Sequence, residues 1–114
     1  MTVTQADRIA HQQRLLTALR EELEARGITT VLVVAEGDRP ALEVVDRRFR
    51  TRRVFVQISF CWFYWGDRED ERVSFLKLPH AVSRIEQAAR TGWHDGPQAE
   101  LLIDFSKIVD AYRP

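Results

Sequence analysis

The stretch VFVQISFCWFYWG, residues 54–66, decides the fold. It is rich in β-branched and aromatic residues and holds no proline, so its local chemistry predicts one long extended strand. Alternation places Val54, Val56, Ile58, Phe60, Trp62 and Tyr64 on one face. Phe55, Gln57, Ser59, Cys61, Phe63 and Trp65 fall on the other. The first face is wholly apolar or aromatic and is expected to meet the core. The second is polar in its middle and aromatic at its ends. A slip of one residue would exchange the faces, so burial is expected to fix the register.

Upstream of this strand, RRFRTRR at 47–53 sets five arginines around one phenylalanine and reads as a connection. ALEVVD at 41–46 and ITTVLVVA at 28–35 read as strands, and EGDRP at 36–40 as the turn between them. Residues 4–26 read as a helix. Thr4 and Asp7 have capping-box spacing, Ile9, Leu16, Leu19 and Leu23 form one stripe, and Gly27 marks the end.

Downstream, DREDER at 67–72 is a charged connection and VSFLKLP a short fourth strand. Pro79 opens a helix carrying Ala81, Val82, Ile85, Ala88 and Ala89 on one side, and Gly92 ends it. WHDGP at 93–97 reads as a loop. The tail 98–113 reads as a helix, with a strand followed by one or two helical turns as the rival.

The predicted order is therefore α-β-β-β-β-α-α in one domain over residues 1–114, of class α+β. Short connections predict an antiparallel four-stranded meander, and flanking helices predict a two-layer sandwich. Such a meander sends the 47–53 connection to one end of the sheet and the acidic 67–72 connection, with Glu36 and Asp38, to the opposite end.

Charge and cysteine content narrow the function. The 114 residues carry 17 basic and 17 acidic side chains, for a formal net charge of zero. That balance weighs against a dedicated nucleic-acid binder. One cysteine, no apolar leader and no membrane-length apolar run lead to the expectation of a cytoplasmic protein with no membrane partner.

Catalytic patterns are sparse. Cys61 sits mid-strand with no histidine in its neighbourhood of sequence. His11, His80 and His94 are widely spread, in no zinc-like spacing. Glu43 and Asp46 lie at a strand as in metal-dependent nucleases, but the following VFVQISF is uncharged. The reading assigns no catalytic residue, no metal and no cofactor, and leans away from an enzyme.

The helix–strands–helix order is similar to double-stranded-RNA-binding domains and to small secretion-chaperone-like domains. PHAVSRIEQAAR has two arginines and no lysine, which favours the chaperone-like resemblance. That resemblance implies a neutral, dimerising, partner-holding module.

The leading expectation is thus a non-catalytic protein–protein interaction module that forms a homodimer. It would bind through Phe55, Phe63 and Trp65 on the outer sheet face, with Arg48, Arg50 and Arg52 at the rim. The alternative is an anion or nucleic-acid module centred on Arg47, Arg48, Phe49, Arg50, Arg52 and Arg53. A third reading is a small enzyme or ligand-binding domain with a pocket near His80 or His94.

Overall fold

A computed structural model describes residues 4–95. The tail reading at 98–113 lies outside the described residues.

Helix α1 spans Gln5–Ala25. Thr4 Oγ1 accepts from the Asp7 amide at 3.1 Å, and Asp7 Oδ2 accepts from the Thr4 amide at 3.3 Å, closing the predicted capping box. At the other end the Gly27 amide donates to Glu24 O and the Ile28 amide to Leu23 O, both at 3.0 Å. This Schellman pattern needs a left-handed residue after the cap, and Gly27 supplies it at φ +83°.

Five strands follow: β1 (Thr30–Ala35), β2 (Arg39–Val45), β3 (Thr51–Gln57), β4 (Trp62–Tyr64) and β5 (Arg72–Ser74). Helix α2 (Leu78–Thr91) closes the described chain. The strands pair in sequence order, all antiparallel, in one open sheet. The class is α+β. Helix α1 packs on β1, β2 and β3 and against α2, which in turn packs on β5.

The four-strand expectation is corrected at 54–66. The chain turns at Ile58–Phe60, with Cys61 left-handed at φ +58°, and folds back so that Phe55 faces Tyr64, Val56 faces Phe63 and Gln57 faces Trp62. A twelve-residue ribbon would run about 40 Å, against about 23 Å for the seven residues of β2. Its overhang would leave a row of ladder groups without partners. Folding back pairs the ribbon with itself. The four-residue connection is closed by Cys61 N–H to Ile58 O at 3.1 Å and by Gln57 Oε1 accepting from Ser59 N at 3.3 Å.

That hairpin couples odd positions to even ones, so the two halves of the stretch exchange faces. Leu42, Val44, Val54, Val56, Phe63, Trp65 and Val73 share one face and form the core with Leu16, Leu19 and Leu23 of α1 and Val82 and Ile85 of α2. Phe63 and Trp65, expected on the outer face, are therefore core residues. Tyr64 is buried as expected, but it lies on the opposite face of the sheet with Phe55, and Trp62, expected in the core, is half-buried on that same face.

Phe55 is itself only 1% exposed. The Arg39 guanidinium lies 4.2 Å over its ring, and the Tyr64 ring stacks on it at 5.7 Å. Arg39 Nη2 donates to Tyr64 Oη at 2.6 Å, and burial pushes the Tyr64 phenol up from its usual pKa. Beside this group Trp62 stacks on Phe60 at 4.9 Å, with the Arg72 guanidinium 4.5 Å over its ring.

The extra strand also corrects the placement of charge. With five strands, the β2–β3 and β4–β5 connections lie at the same end of the sheet. The arginine and acidic stretches meet there rather than standing at opposite ends, and Arg52 Nη1 lies 2.8 Å from Glu71 Oε2.

Candidate functional site

The arginine stretch is built around one carboxylate. Asp46, 4% exposed, closes the β2–β3 turn. Its Oδ1 accepts from the Arg48 and Arg50 amides, both at 2.9 Å. Its Oδ2 accepts from Arg50 Nε at 3.1 Å and from the Trp93 amide at 3.0 Å. Burial pushes this carboxyl's pKa up, but the hydrogen bonds from Trp93, Arg50 and Arg48 outweigh it and hold it below the ordinary aspartate value. An aspartate just before a hairpin turn is the sequence signal for this knot.

The backbone closes as a three-residue loop, with Asp46 N–H to Arg50 O at 2.8 Å and Phe49 N–H to Asp46 O at 3.0 Å. A type I turn followed by a left-handed residue makes this loop, and glycine is usual at the left-handed position. Here Phe49 occupies it at φ +63°. The Arg47 amide donates to Ala89 O at 3.1 Å, which ties the turn to α2.

The arginines then divide. Arg50 is pinned by Asp46, by Asp95 Oδ1 at 3.2 Å and by Trp93 O at 2.6 Å. Arg52 is buried. It pairs with Glu71 and donates to His94 O at 2.6 Å, which ties the segment after α2 to β3. Arg53 Nε lies 3.9 Å from Glu43 Oε1. Arg47 and Arg48 are exposed, and their side chains make no hydrogen bond or ion pair among the described residues. Of the arginines expected to grip a ligand, Arg50 and Arg52 serve the fold.

Phe49 is 88% exposed at the tip. Behind it a groove of about 590 Å³ has a floor of Ile28, Val45 and Ala89, with Arg47 and Arg90 at its edge. Arg90 is held by Glu86 Oε2 at 2.9 Å and by Arg26 O at 2.7 Å.

A smaller pocket of about 230 Å³ lies between α2 and the β4–β5 connection, lined by Trp65, Glu71, Gln87, Trp93 and His94. The structure thus sets His94 at a pocket wall, with Nε2 3.6 Å from Asp70 Oδ2. His80 is exposed at the start of α2. The pocket's buried carboxylate, Glu71, is already held by Arg52. Cys61 belongs to the β3–β4 turn. Among the described residues, no group of three or more histidine, cysteine or acidic side chains is placed to hold a metal ion. Also among them, no helix is long and apolar enough to cross a membrane.

Glu71 further explains Gly66. A Cβ at that position would overlap the Glu71 carboxylate. Gly66→Ala is expected to push Glu71 off Arg52 and to cost about 2–4 kcal/mol, read by urea unfolding. An unchanged midpoint would show that the pair can shift without loss.

The fold and this knotted turn give the described residues an α+β architecture with a five-stranded antiparallel sheet and an arginine-flanked aromatic tip. Comparison with protein-family models, with characterised proteins and with solved structures gave no match to it.

Proposed function

We propose that this chain is a small non-catalytic protein–protein interaction module that holds its partner at the Phe49 tip and in the groove behind it. One observation supports this reading above others. Phe49 combines a left-handed backbone with 88% exposure of its ring. A bulky residue in that region is strained by about 1–2 kcal/mol, and an exposed ring returns almost none of it through burial. Strain of this kind is typical of functional positions. Aromatic residues and arginine are also the side chains that most often anchor interfaces. The partner would offer an apolar side chain to the groove and acidic groups to Arg47 and Arg48. The contact therefore sits at the tip, not on Phe55, Phe63 and Trp65. Our reading of the helix packing is a two-layer sandwich, and of the setting a cytoplasmic one.

Phe49→Gly tests the reading from two sides. It is expected to raise stability by about 1 kcal/mol in urea unfolding, because glycine removes the left-handed strain. A photo-crosslinking residue at position 49, used in extract of the source cells, is expected to give one dominant protein adduct. Unlabelled wild type should compete that adduct away, and unlabelled Phe49→Gly or Arg47→Glu/Arg48→Glu should not. An adduct pattern matching that of a crosslinker at Arg14 would remove the proposal.

The two exposed guanidiniums also favour the second reading, a site for phosphate or nucleic acid. Titration with generic DNA and RNA separates the two. Affinity that falls steeply with salt and is lost in Arg47→Glu/Arg48→Glu supports the anion reading. No binding at about 50 mM salt removes it.

A further inference from the structure

The two edges of the sheet differ in kind. Edge strand β5 has three residues, the arginine Arg72 among them. Edge strand β1 has six, TVLVVA, with no charge, proline or glycine. Short length and charge are the usual protections of an edge against pairing with another chain, and β1 carries neither.

The hydrogen-bond phase shows what β1 offers. Val45 N–H donates to Thr29 O at 3.0 Å, so Thr29, Val31, Val33 and Ala35 turn their backbone groups toward β2. Thr30, Leu32 and Val34 turn theirs outward. Thr30 is buried and its hydroxyl donates to Glu24 Oε1 at 3.0 Å, so the usable edge begins at Val31. Val31 and Val34 are 51% and 65% exposed, on opposite faces of the sheet. Among the described residues, no strand pairs with β1 on that side.

We propose that β1 pairs antiparallel with β1 of a second copy of this chain, about a two-fold axis at Val33, to form a continuous ten-stranded sheet. The sequence is complementary to itself in that register. Leu32 and Val34 of one copy exchange both backbone hydrogen bonds with Val34 and Leu32 of the other, four bonds in all. On the helix side Leu32 lies beside the other copy's Val34. On the far side Val33 meets Val33 and Val31 meets Ala35. Every cross-strand pair is apolar, and no charge enters the seam. Isologous pairing of this kind closes on itself and leaves no unpaired β1 edge. The inference is independent of the Phe49 tip, which lies on the β2–β3 turn.

The test is the oligomeric state by sedimentation across a concentration series, for wild type, Val34→Lys, Val34→Pro and Phe49→Gly. The Val34 amide points away from β2, so proline there removes an edge donor and leaves the β1–β2 ladder intact. Wild type and Phe49→Gly are expected to be dimers, and both Val34 variants folded monomers with at least a hundredfold weaker association. Amide exchange at Leu32 and Val34 should be slow in the dimer and fast in the variants. A wild-type monomer at about 100 μM, or a dimer untouched by both Val34 variants, would overturn the proposal. A wild-type monomer whose Leu32 and Val34 amides are protected by an added VLVVA peptide would also overturn it, and would assign the edge to a foreign strand instead.

Discussion

Arg52→Met is expected to destabilise the chain by about 3–5 kcal/mol, because it leaves the Glu71 carboxylate buried without its counter-charge. The two side chains are each 4% exposed and 2.8 Å apart. Arg52 also donates to His94 O at 2.6 Å and Trp65 O at 3.4 Å, so its loss frees the segment after α2 as well. The fall in melting temperature should be about 15 °C or more. The double variant Arg52→Met/Glu71→Met separates pairing from packing. Apolar side chains of similar volume often replace a buried ion pair at little cost, so the double is expected to recover most of the loss. A double variant as unstable as the sum of the two singles would show that the carbonyl contacts, and not the pair, carry the effect.

Asp46→Ala is expected to cost about 3 kcal/mol or more in urea unfolding, since three buried or half-buried amides and one guanidinium lose their acceptor together. The same knot gives stability an acid limb. Its folded pKa is depressed, so the folded state binds this proton less readily than the unfolded chain does. The stabilisation is complete well above the unfolded value of about 4 and is lost as pH falls through the lower folded value. The stability difference between wild type and Asp46→Asn should therefore be constant near neutrality and shrink below about pH 4. A difference that stays flat into that range would mean that geometry, not charge, gives Asp46 its effect. Asp46→Ala should also release Phe49, and a loss of crosslinking there would tie the rigidity of the turn to binding.

Parts of this architecture are legible in the chain alone. Thr4, Asp7 and Gly27 bound α1 because caps act within four residues of one another. The stripe Leu16, Leu19 and Leu23 is buried as the helical period requires. Arg52 carried a signal too. It stands two and four residues before Val54 and Val56, hence on their face of the strand, and that alternation outweighs its place in an arginine run. Phe49 is visible as a lone aromatic among arginines. Its left-handed backbone is not, because the residue type argues against that conformation.

The turn inside 54–66 was not legible. No glycine, proline or asparagine marks it, and Cys61 takes a conformation that its side chain does not favour. The choice between one long strand and a hairpin rests on whether neighbouring strands can satisfy the ladder, and those neighbours lie far away in sequence. From that choice follow the faces of Phe63, Tyr64 and Trp65 and the meeting of Arg52 with Glu71.

Local periodicity and capping determined the helices, the apolar strands and the α+β class, because those signals act over a few residues. Tertiary pairing alone decided the strand count, the inward and outward sides of the aromatic stretch and which arginines reach solvent. Side-chain direction in a strand is inherited from its partner's register, and register is a property of two segments at once.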